Sequence, residues 1–437
     1  MTGYTTGEPI YALATPYAPS ALAVVRTSGD KCIEMIAPLF SRKKKLLESE
    51  SNSLLHGFMK DREGNRIDEV VLSVYRASHG YTKEEAVEIT MHGSLPAIAR
   101  LSRALESAGF RQALKGEFTY RAFMNGSMDL TEAEAVEEIV SAKTENAQKD
   151  ALERLTGSLS SALVDIKERI LNILASLEVY LDYAEDEIID EWSYPKSEVE
   201  DIIEKLERIV STYSSSRLYQ DGAMVVLAGA ANAGKSSLFN TLLKENRAIV
   251  SSVPGTTRDY IEASVIINGI FCRLYDTAGL RDTEEEIESE GIKRSLSLID
   301  KADLILYITD GSDASLPQET DRVKVIFSKS DISKKEGLSF SSITGEGIKD
   351  VTSLIFRCLV SGRKRDESVP SINSERQKED LERCIAILKE SMSMAGASED
   401  IMALCFQSAL SSLEGLLGTV TTDDVLDRLF SSFCLGK

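Results

Sequence analysis

The sequence contains few of the residues that build metal centres and disulfide frameworks. It has three histidines and six scattered cysteines among 437 residues, and no two cysteines form a C-x-x-C pair. Zinc sites and disulfide scaffolds need such residues at close, regular spacing. The sequence therefore argues against both classes of protein, and we expect the thiols to be reduced.

Long apolar runs are also missing. No stretch approaches the length of a membrane span, and the polar segment Met1–Pro9 resembles neither a signal peptide nor a transit peptide. We therefore expect a cytoplasmic protein without a membrane partner. A composition that is 43% hydrophobic and 27% charged is typical of a globular protein of about two to four domains.

Basic residues are outnumbered, with 50 Lys and Arg against 70 Asp and Glu, so the formal net charge is −20. Nonspecific binding to nucleic acid depends on Lys and Arg that displace counterions from phosphates. Any RNA substrate must therefore be held locally or by a partner. Two basic runs are candidates for a local contact, Arg42–Lys45 and Arg363–Arg365, although such runs are more often solvated loops.

Changes in apolar periodicity divide the chain into four segments. Residues 1–118 mix short apolar runs with turn signals and one helical stretch near Ala97–Ala108, which predicts an α+β domain. Residues 119–215 and 366–437 have helical periodicity, whereas residues 216–365 alternate between strand and helix patterns. The simplest architecture is an α/β nucleotide-binding domain inserted into a helical domain.

One helix dominates the second segment. Its apolar positions recur at steps of three and four and predict one long helix that buries a single stripe, formed by Leu152, Leu155, Leu159, Leu163, Ile166, Ile170, Ile173 and Leu177.

The segment Gly229–Ser237 fits the phosphate-binding template G-x-x-x-x-G-K-[ST]. The apolar run Ala223–Ala228 predicts a buried strand before it, and the residues from Lys235 onward predict a helix after it. In such a loop the backbone N–H groups surround the β-phosphate, Lys235 reaches the β- and γ-phosphate oxygens, and Ser236 binds Mg²⁺. This strand–loop–helix context favours a nucleotide site over a glycine-rich turn.

Two further motifs place a metal shell and a switch after this loop. The predicted strand Ile270–Tyr275 ends in Asp276-Thr277-Ala278-Gly279, where the carboxylate can hold the Mg²⁺ shell. Between the two lies Gly255–Asp259, a switch able to bring a threonine hydroxyl to Mg²⁺ when the γ-phosphate is present. This order of motifs is typical of GTPases.

A fourth motif predicts the base. After the predicted strand Val323–Phe327 comes Ser328-Lys329-Ser330-Asp331. The carboxylate of Asp331 can accept the N1–H and N2–H groups of guanine together, and adenine offers no such pair. Ser341-Ser342 stands where GTPases have a second loop that contacts the base.

Catalysis must differ from that of Ras-like enzymes, because Leu280 occupies the position of the glutamine that orients the attacking water. The acidic stretch Glu284–Glu290 is the obvious source of another polar group. A cation can replace an arginine finger, with Asn232 of the phosphate loop as a ligand.

With these motifs in place, the sequence resembles the MnmE (TrmE) family of tRNA uridine-5-carboxymethylaminomethyl modification GTPases over nearly its whole length. The shared segments outside the GTPase motifs are Ala14-Thr15-Pro16, Gly116–Thr119 with Arg121–Phe123, Asp129–Thr131 with Ala133–Ala135, and Phe433-Cys434-Leu435-Gly436-Lys437.

The resemblance implies a folate-binding and dimerising domain at 1–118, a helical domain at 119–215 and 366–437, and an inserted Ras-like GTPase domain at 216–365 that is activated by potassium-dependent pairing with its twin. A partner of the MnmG type would bring FAD and much of the tRNA contact. Together they would modify C5 of the wobble uridine, with a 5-formyltetrahydrofolate-like tetrahydrofolate derivative giving the carbon.

The resemblance also assigns roles to single residues. Glu288 would orient the water, and Cys434 would act in the modification reaction, whereas a helical tail would make Cys434 merely a small buried hydrophobe. The predicted ligands of Mg²⁺ are Ser236 and Thr257, and those of K⁺ are Asn232, Ser251, Val253 and Thr256. The positions near the folate are Arg26, Glu88, Ser127 and Lys437. The predicted nucleotide contacts are Asn232, Ala233, Gly234, Lys235, Ser236, Ser237, Ser251, Thr256, Thr257, Asp276, Thr277, Ala278, Gly279, Ser328, Lys329, Asp331, Ser341 and Ser342.

The sequence departs from the family pattern at a few positions. Ala231 replaces a proline, Ser328 replaces the base-reading asparagine, Ser127 replaces a folate-adjacent lysine, and Tyr17–Ala21 replaces a glycine- and arginine-rich turn. A regulatory GTPase that has lost the modification chemistry is therefore one alternative. A ribosome-assembly GTPase is a second, but it leaves the segment Phe433–Lys437 unexplained.

Overall fold

The computed structural model describes residues 3–183, 192–245, 261–276, 298–313, 315–363, 366, 368–396 and 398–437. Its contacts divide the chain into two compact units. Unit 1 comprises residues 1–137, 154–189 and 399–437, and unit 2 comprises residues 138–153 and 190–398. Helical segments from both sides of the nucleotide-binding motifs are therefore distributed over the two units.

Unit 1 is built on a six-stranded sheet of order β3-β4-β5-β2-β1-β6, antiparallel except for the β1–β6 pair. Its strands are β1 Ile10–Leu13, β2 Ser20–Ser28, β3 Ser53–Lys60, β4 Arg66–Tyr75, β5 Ala86–Gly93 and β6 Arg111–Gln112. This confirms the α+β class predicted for the first segment.

Side chains of this sheet alternate between two faces, as the period of two in a strand requires. In β5, Val87 and Ile89 lie in the hydrophobic core, where Leu101 of the helix Leu95–Ser107 packs against them. Glu88, which stands between the two core residues, belongs to the opposite face and pairs in register with Arg26 of β2. The sheet thus places both residues on the face that does not hold the core.

Helices complete unit 1. They are α1 Cys32–Ile36, α2 Lys43–Leu47, α3 Leu95–Ser107, α4 Glu117–Met124, α5 Leu130–Ser141, whose last turn enters unit 2, α7 Ser158–Tyr183, α13 Glu399–Leu417 and α14 Asp423–Phe430. The helices α7 and α13 pack against each other.

A buried ion-pair network anchors α4. The guanidinium of Arg121 is fully buried and donates to Glu117 Oε1 at 2.9 Å and to Glu84 Oε2 at 2.9 Å. Glu117 also accepts from Arg111 NH2 at 2.7 Å, and Arg121 NH1 donates to the Glu8 carbonyl at 2.7 Å. Buried charges are tolerated when they are paired and hydrogen-bonded in this way. The network therefore fixes α4 against the sheet.

Unit 2 is built on a five-stranded sheet of order β11-β10-β7-β9-β8, parallel except for the β8–β9 hairpin. The strands are β7 Ala223–Ala228, β8 Ile261–Ile267, β9 Ile270–Asp276, β10 Leu304–Thr309 and β11 Val323–Phe327. The helices of this unit are α6 Glu145–Leu155, whose last residues belong to unit 1, α8 Lys196–Ser211, α9 Tyr213–Asp221, α10 Lys235–Glu245, α11 Ile348–Val360 and α12 Glu375–Ser393. The carboxyl ends of the parallel strands meet at one edge, where ligands of open α/β sheets bind.

The prediction of one helix from Leu152 to Leu177 is wrong at its start. Helix α6 ends at Leu155 and α7 begins at Ser158, because Gly157 has φ 86° and ends the first helix in the left-handed conformation that glycine tolerates. Leu152 is 52% exposed and does not belong to the buried stripe. From Leu159 to Leu177 the predicted positions are all buried.

Within the described part of the chain, none of the helices combines the length and the apolar composition that crossing a membrane requires.

Candidate functional site

The phosphate loop of unit 2 connects β7 to α10. It contains three residues with positive φ, Gly229 at 137°, Asn232 at 60° and Gly234 at 100°. A Cβ at Gly229 would clash with the carbonyl oxygen of Ile308, so only glycine fits this close approach. Successive backbone N–H groups in such a turn, next to a helix N-terminus, form an anion-binding concavity.

Lys235 is held at the base of this loop. Its side chain is 5% exposed, and Nζ donates to the carbonyl of Gly229 at 3.0 Å and to that of Ala230 at 2.7 Å. A buried ammonium that already spans the loop is suitably placed to contact phosphate oxygens.

Ser236 and Asp276 lie together at the edge of the sheet. Because β7 and β9 are parallel neighbours with Leu227 opposite Asp276, the carboxylate stands beside the phosphate loop, and Ser236 Oγ donates to Asp276 Oδ2 at 2.6 Å. Asp276 is only 3% exposed. A hydroxyl and a carboxylate are the hard oxygen ligands that Mg²⁺ prefers, so these residues fit the predicted metal shell.

The predicted base-reading motif follows β11. The N–H of Ser328 donates to the Thr309 carbonyl at 2.8 Å, and the N–H of Ser330 donates to the Phe340 carbonyl at 3.1 Å. Ser341 in the next loop is fully buried, and its Oγ accepts from the N–H of Ile343 at 3.2 Å. These bonds bring the Ser328–Asp331 and Ser341-Ser342 loops side by side, with Asp331 exposed.

Lys329 of the same motif has an ion-pair partner that the sequence did not predict. Its backbone has φ 60°, and its Nζ lies 2.7 Å from Asp310 Oδ2 at the end of β10. The other oxygen of Asp310 accepts from Ser312. The bond from Lys329, with those from Ser312, holds the pKa of Asp310 well below its usual range. The one sequence feature that could have pointed to Asp310 is its position directly after an apolar run.

Several predicted residues lie outside the described residues. They are Ser251, Val253, Thr256, Thr257, Thr277, Ala278, Gly279 and Glu288, together with Leu280. Their predicted roles as switch, potassium and water-orienting residues stay predictions.

A second candidate cluster lies in unit 1, around Arg26. Arg26 Nε donates to Glu88 Oε1 at 2.8 Å, and NH1 donates to the Gly436 carbonyl at 3.2 Å. The rings of Tyr81 and Phe118 each lie 5.7 Å from the guanidinium carbon. Neither ring was predicted, because nothing in the sequence relates residues so far apart.

Lys437 belongs to the same cluster. Burial and the neighbouring Arg26 lower the pKa of its ammonium. The backbone carbonyl of Lys437 accepts from the Phe118 N–H at 3.2 Å. The predicted residues Arg26, Glu88 and Lys437 therefore lie close together in the structure.

Ser127 and Cys434 are both exposed. Ser127 lies in the turn after α4, where Lys83 Nζ donates to the carbonyl of the preceding Gly126. Cys434 follows α14, which ends at Phe430, so the alternative of a buried cysteine in a helical tail is wrong. No sequence motif predicted a role for Lys83, whose ammonium lies next to Ser127.

Comparison with known proteins gives consistent matches along the chain. The family model described as "GTP-binding protein TrmE N-terminus" matches residues 9–127, and that described as "MnmE helical domain" matches residues 130–434. Both models belong to one kind of protein, and together they span most of the sequence.

Similar proteins are named tRNA modification GTPase MnmE. The one from Treponema denticola is 39% identical and covers 99% of each chain, and the one from Aquifex aeolicus is 36% identical and covers 98% of this chain and all of its own. Among solved structures, the G domain of the T. maritima FeoB iron transporter is 26% identical over 31% of this chain and 98% of its own. Its TM-score of 0.23 is too low to support an argument.

Proposed function

The chain belongs to the MnmE family of tRNA modification GTPases, and from this membership we propose that it hydrolyses GTP to GDP and phosphate as an enzyme of tRNA modification. The observation that carries the proposal is the contact between Ser236 and Asp276 beside a phosphate loop whose Lys235 is already in place. GTP and tRNA are both abundant in the cytoplasm, and we propose that the protein acts there.

The residues around the phosphate loop would share the work of phosphoryl transfer. Ser236 and Asp276, with Thr257 of the switch, would hold Mg²⁺, which supplies positive charge to the β- and γ-phosphates when bound. Lys235 and the backbone N–H groups of the loop would hold the same phosphates in position. Catalysis of this kind depends on positioning and charge rather than on a covalent step.

Guanine would be selected at the carboxyl ends of β10 and β11. Asp331 would accept the two N–H groups of the base, and the Ser341-Ser342 loop would lie against it. Lys329, which pairs with Asp310, would lie beside the base.

Two catalytic elements fall mainly on residues outside the described ranges, although Asn232 is described. We propose that Glu288 orients the attacking water in place of the glutamine that Leu280 replaces. We propose also that K⁺, bound by Asn232, Ser251, Val253 and Thr256 when two copies pair, replaces an arginine finger.

The cluster in unit 1 would bind a 5-formyltetrahydrofolate-like one-carbon donor. Arg26, Glu88, Ser127 and Lys437 would hold it, since a folate carries carboxylates that suit cations and a ring that suits Tyr81. With an MnmG-type FAD protein and a second copy of this chain, the product would be a carboxymethylaminomethyl- or aminomethyl-type group at C5 of the wobble uridine, and Cys434 would act in that reaction.

The experiment that tests this function measures GTP hydrolysis in vitro and wobble-uridine modification in cells whose own gene is deleted. Lys235→Ala should abolish both. Lys244→Ala, an exposed lysine of the same helix, is the matched control and should leave both unchanged. Hydrolysis of GTP by Lys235→Ala at the wild-type rate would contradict the site.

A regulatory GTPase is the second candidate, favoured by Ser127, which puts an uncharged residue at the folate-adjacent position. It replaces the enzyme interpretation if calorimetry detects no 5-formyltetrahydrofolate binding at millimolar ligand and Cys434→Ser leaves tRNA modification intact.

A further inference from the structure

The segment Cys434–Lys437 is held against the rest of unit 1 mainly through its backbone. Leu435 forms a single antiparallel bridge with Lys115, and Lys437 accepts the Phe118 N–H. Gly436, with φ 87°, lies so close to the end of β1 that a Cβ there would be 3.0 Å from the Leu13 carbonyl oxygen. The segment is neither helix nor strand, and Cys434 and Leu435 are exposed.

The side chain that reaches this segment is Arg26. Its fork spans two partners on different parts of the chain, the Glu88 carboxylate through Nε and the Gly436 carbonyl through NH1. Glu88 pairs with Arg26 across neighbouring strands, so the orientation of the guanidinium is fixed by the sheet rather than by the segment. The flanking rings of Tyr81 and Phe118 leave little freedom for the guanidinium to turn away.

From this geometry we propose that Arg26 is a positioning residue: it holds the segment Cys434–Lys437 in its docked conformation and thereby keeps the exposed thiol of Cys434 in a fixed place beside Lys437. The inference rests on the proposed function, in which Cys434 acts in the modification reaction. It adds a structural role to Arg26 beyond a direct contact with the one-carbon donor.

Apart from this bond, the segment is held by its backbone bonds to Gly116 and Phe118 and by the bridge to Lys115, and by few side-chain contacts. Phe433 is buried just before it, but within the segment Gly436 is the only buried residue, and it has no side chain. A hydrogen bond from a charged donor to a backbone carbonyl is among the stronger single contacts in a protein. Its loss should shift the balance between docked and undocked segment by roughly tenfold or more.

Amide hydrogen exchange of the full-length protein tests the proposal directly. The N–H groups of Gly116 and Phe118 bond to this segment, so their exchange reports whether it is docked. We expect Arg26→Gln to speed their exchange roughly tenfold or more, and Arg26→Lys, which keeps the charge but loses the fork, to have an intermediate effect. Arg66→Gln is the matched control, because Arg66 also stacks on a ring, that of Phe58, on another part of the sheet.

Gly436→Ala provides a second route to the same state. The substitution strains the segment through the positive φ of Gly436 and its close approach to Leu13, and it keeps both Arg26 and Glu88, so it should give the same faster exchange even if Arg26→Gln disturbs folding. Loss of modification in cells should accompany faster exchange in both variants. Cys434→Ser should lose modification while exchange stays normal.

The outcomes separate the inference from the function on which it rests. Unchanged exchange in a folded Arg26→Gln protein overturns the inference, whatever the modification level. Normal modification in Cys434→Ser, together with the expected rise in exchange in Arg26→Gln, overturns the role of Cys434 and supports the docking role of Arg26.

Discussion

Replacing Ser328 by asparagine tests how the guanine site is assembled. Ser328 is 3% exposed, and its Oγ has no hydrogen-bond partner among the described residues. It lies directly against the phosphate loop, since a Cβ at Gly234 would be 3.1 Å from the Ser328 Cβ. An asparagine amide extends one atom further than the hydroxyl and carries both a donor and an acceptor. Ser328→Asn should therefore supply the hydrogen bond between motif and nucleotide site that serine is too short to make.

The expected gain is that of one neutral hydrogen bond in a buried site. Such a bond contributes about 1 kcal/mol, which corresponds to a roughly fivefold lower Kd for GDP. Titration with a fluorescent GDP analogue measures the change, and competition with ATP measures base preference. Ser328→Ala is the control, and we expect its Kd to lie within about twofold of wild type, because the hydroxyl bonds to no other described residue.

An unchanged Kd in a Ser328→Asn protein with a normal melting temperature would refute this account of the site. A changed preference between guanine and adenine nucleotides would also refute it, because selection of guanine is assigned to Asp331 and not to residue 328.

Three further predictions concern catalysis and stability. GTP turnover should be roughly tenfold or more lower in sodium than in potassium at matched ionic strength, and equal rates would remove the cation mechanism. Glu288→Ala should bind GTP normally but hydrolyse it about 10²- to 10⁴-fold more slowly, and near-normal turnover would exclude Glu288 as the water-orienting group. Arg121→Ala removes the shared partner of the buried carboxylates of Glu117 and Glu84 and should destabilise unit 1 by about 3–5 kcal/mol in urea unfolding followed by exchange of α4 amides. Arg100→Ala, which breaks a solvent-accessible pair with Asp61 in the same unit, should cost at most about 1 kcal/mol. Equal costs for the two arginine variants would contradict the role of the network.

Features that depend on a short stretch of sequence were predicted well. The strands Ala223–Ala228 and Val323–Phe327 have the predicted bounds, and α10 begins at Lys235 as expected. Each of these elements is specified by its own apolar run and by the turn residues next to it. Because each nucleotide motif follows a predicted strand, the order of the motifs also predicts that they meet at one edge of the sheet.

Helix ends and turns are harder to predict where the apolar pattern continues across them. Leu152 and Leu155 keep the three- and four-residue spacing across Gly157, so periodicity alone cannot show that the helix ends there. The hairpin between β8 and β9 is turned by Asn268-Gly269, both with positive φ, and such a dipeptide is a strong turn signal. In both cases the glycine carries the information that the apolar pattern lacks.

Contacts between distant residues were beyond sequence reasoning. The ion pair of Lys329 with Asp310 depends on two parallel strands ending at the same height. The bond from Arg26 to Gly436 depends on the course of nearly the whole chain. No local pattern records either contact, and both were visible only once the strands were placed in their sheets.

That last bond joins residues 410 positions apart. During synthesis on the ribosome, Arg26 and the strands around it leave the exit tunnel long before Gly436 is made, because the chain is made from its N-terminus. Domains generally fold in the same order. At about 5–20 residues per second, some tens of seconds pass between the synthesis of Arg26 and that of Gly436. Throughout that interval Cys434 does not yet exist, so any chemistry that its thiol performs can begin only after the whole of unit 2 has been translated.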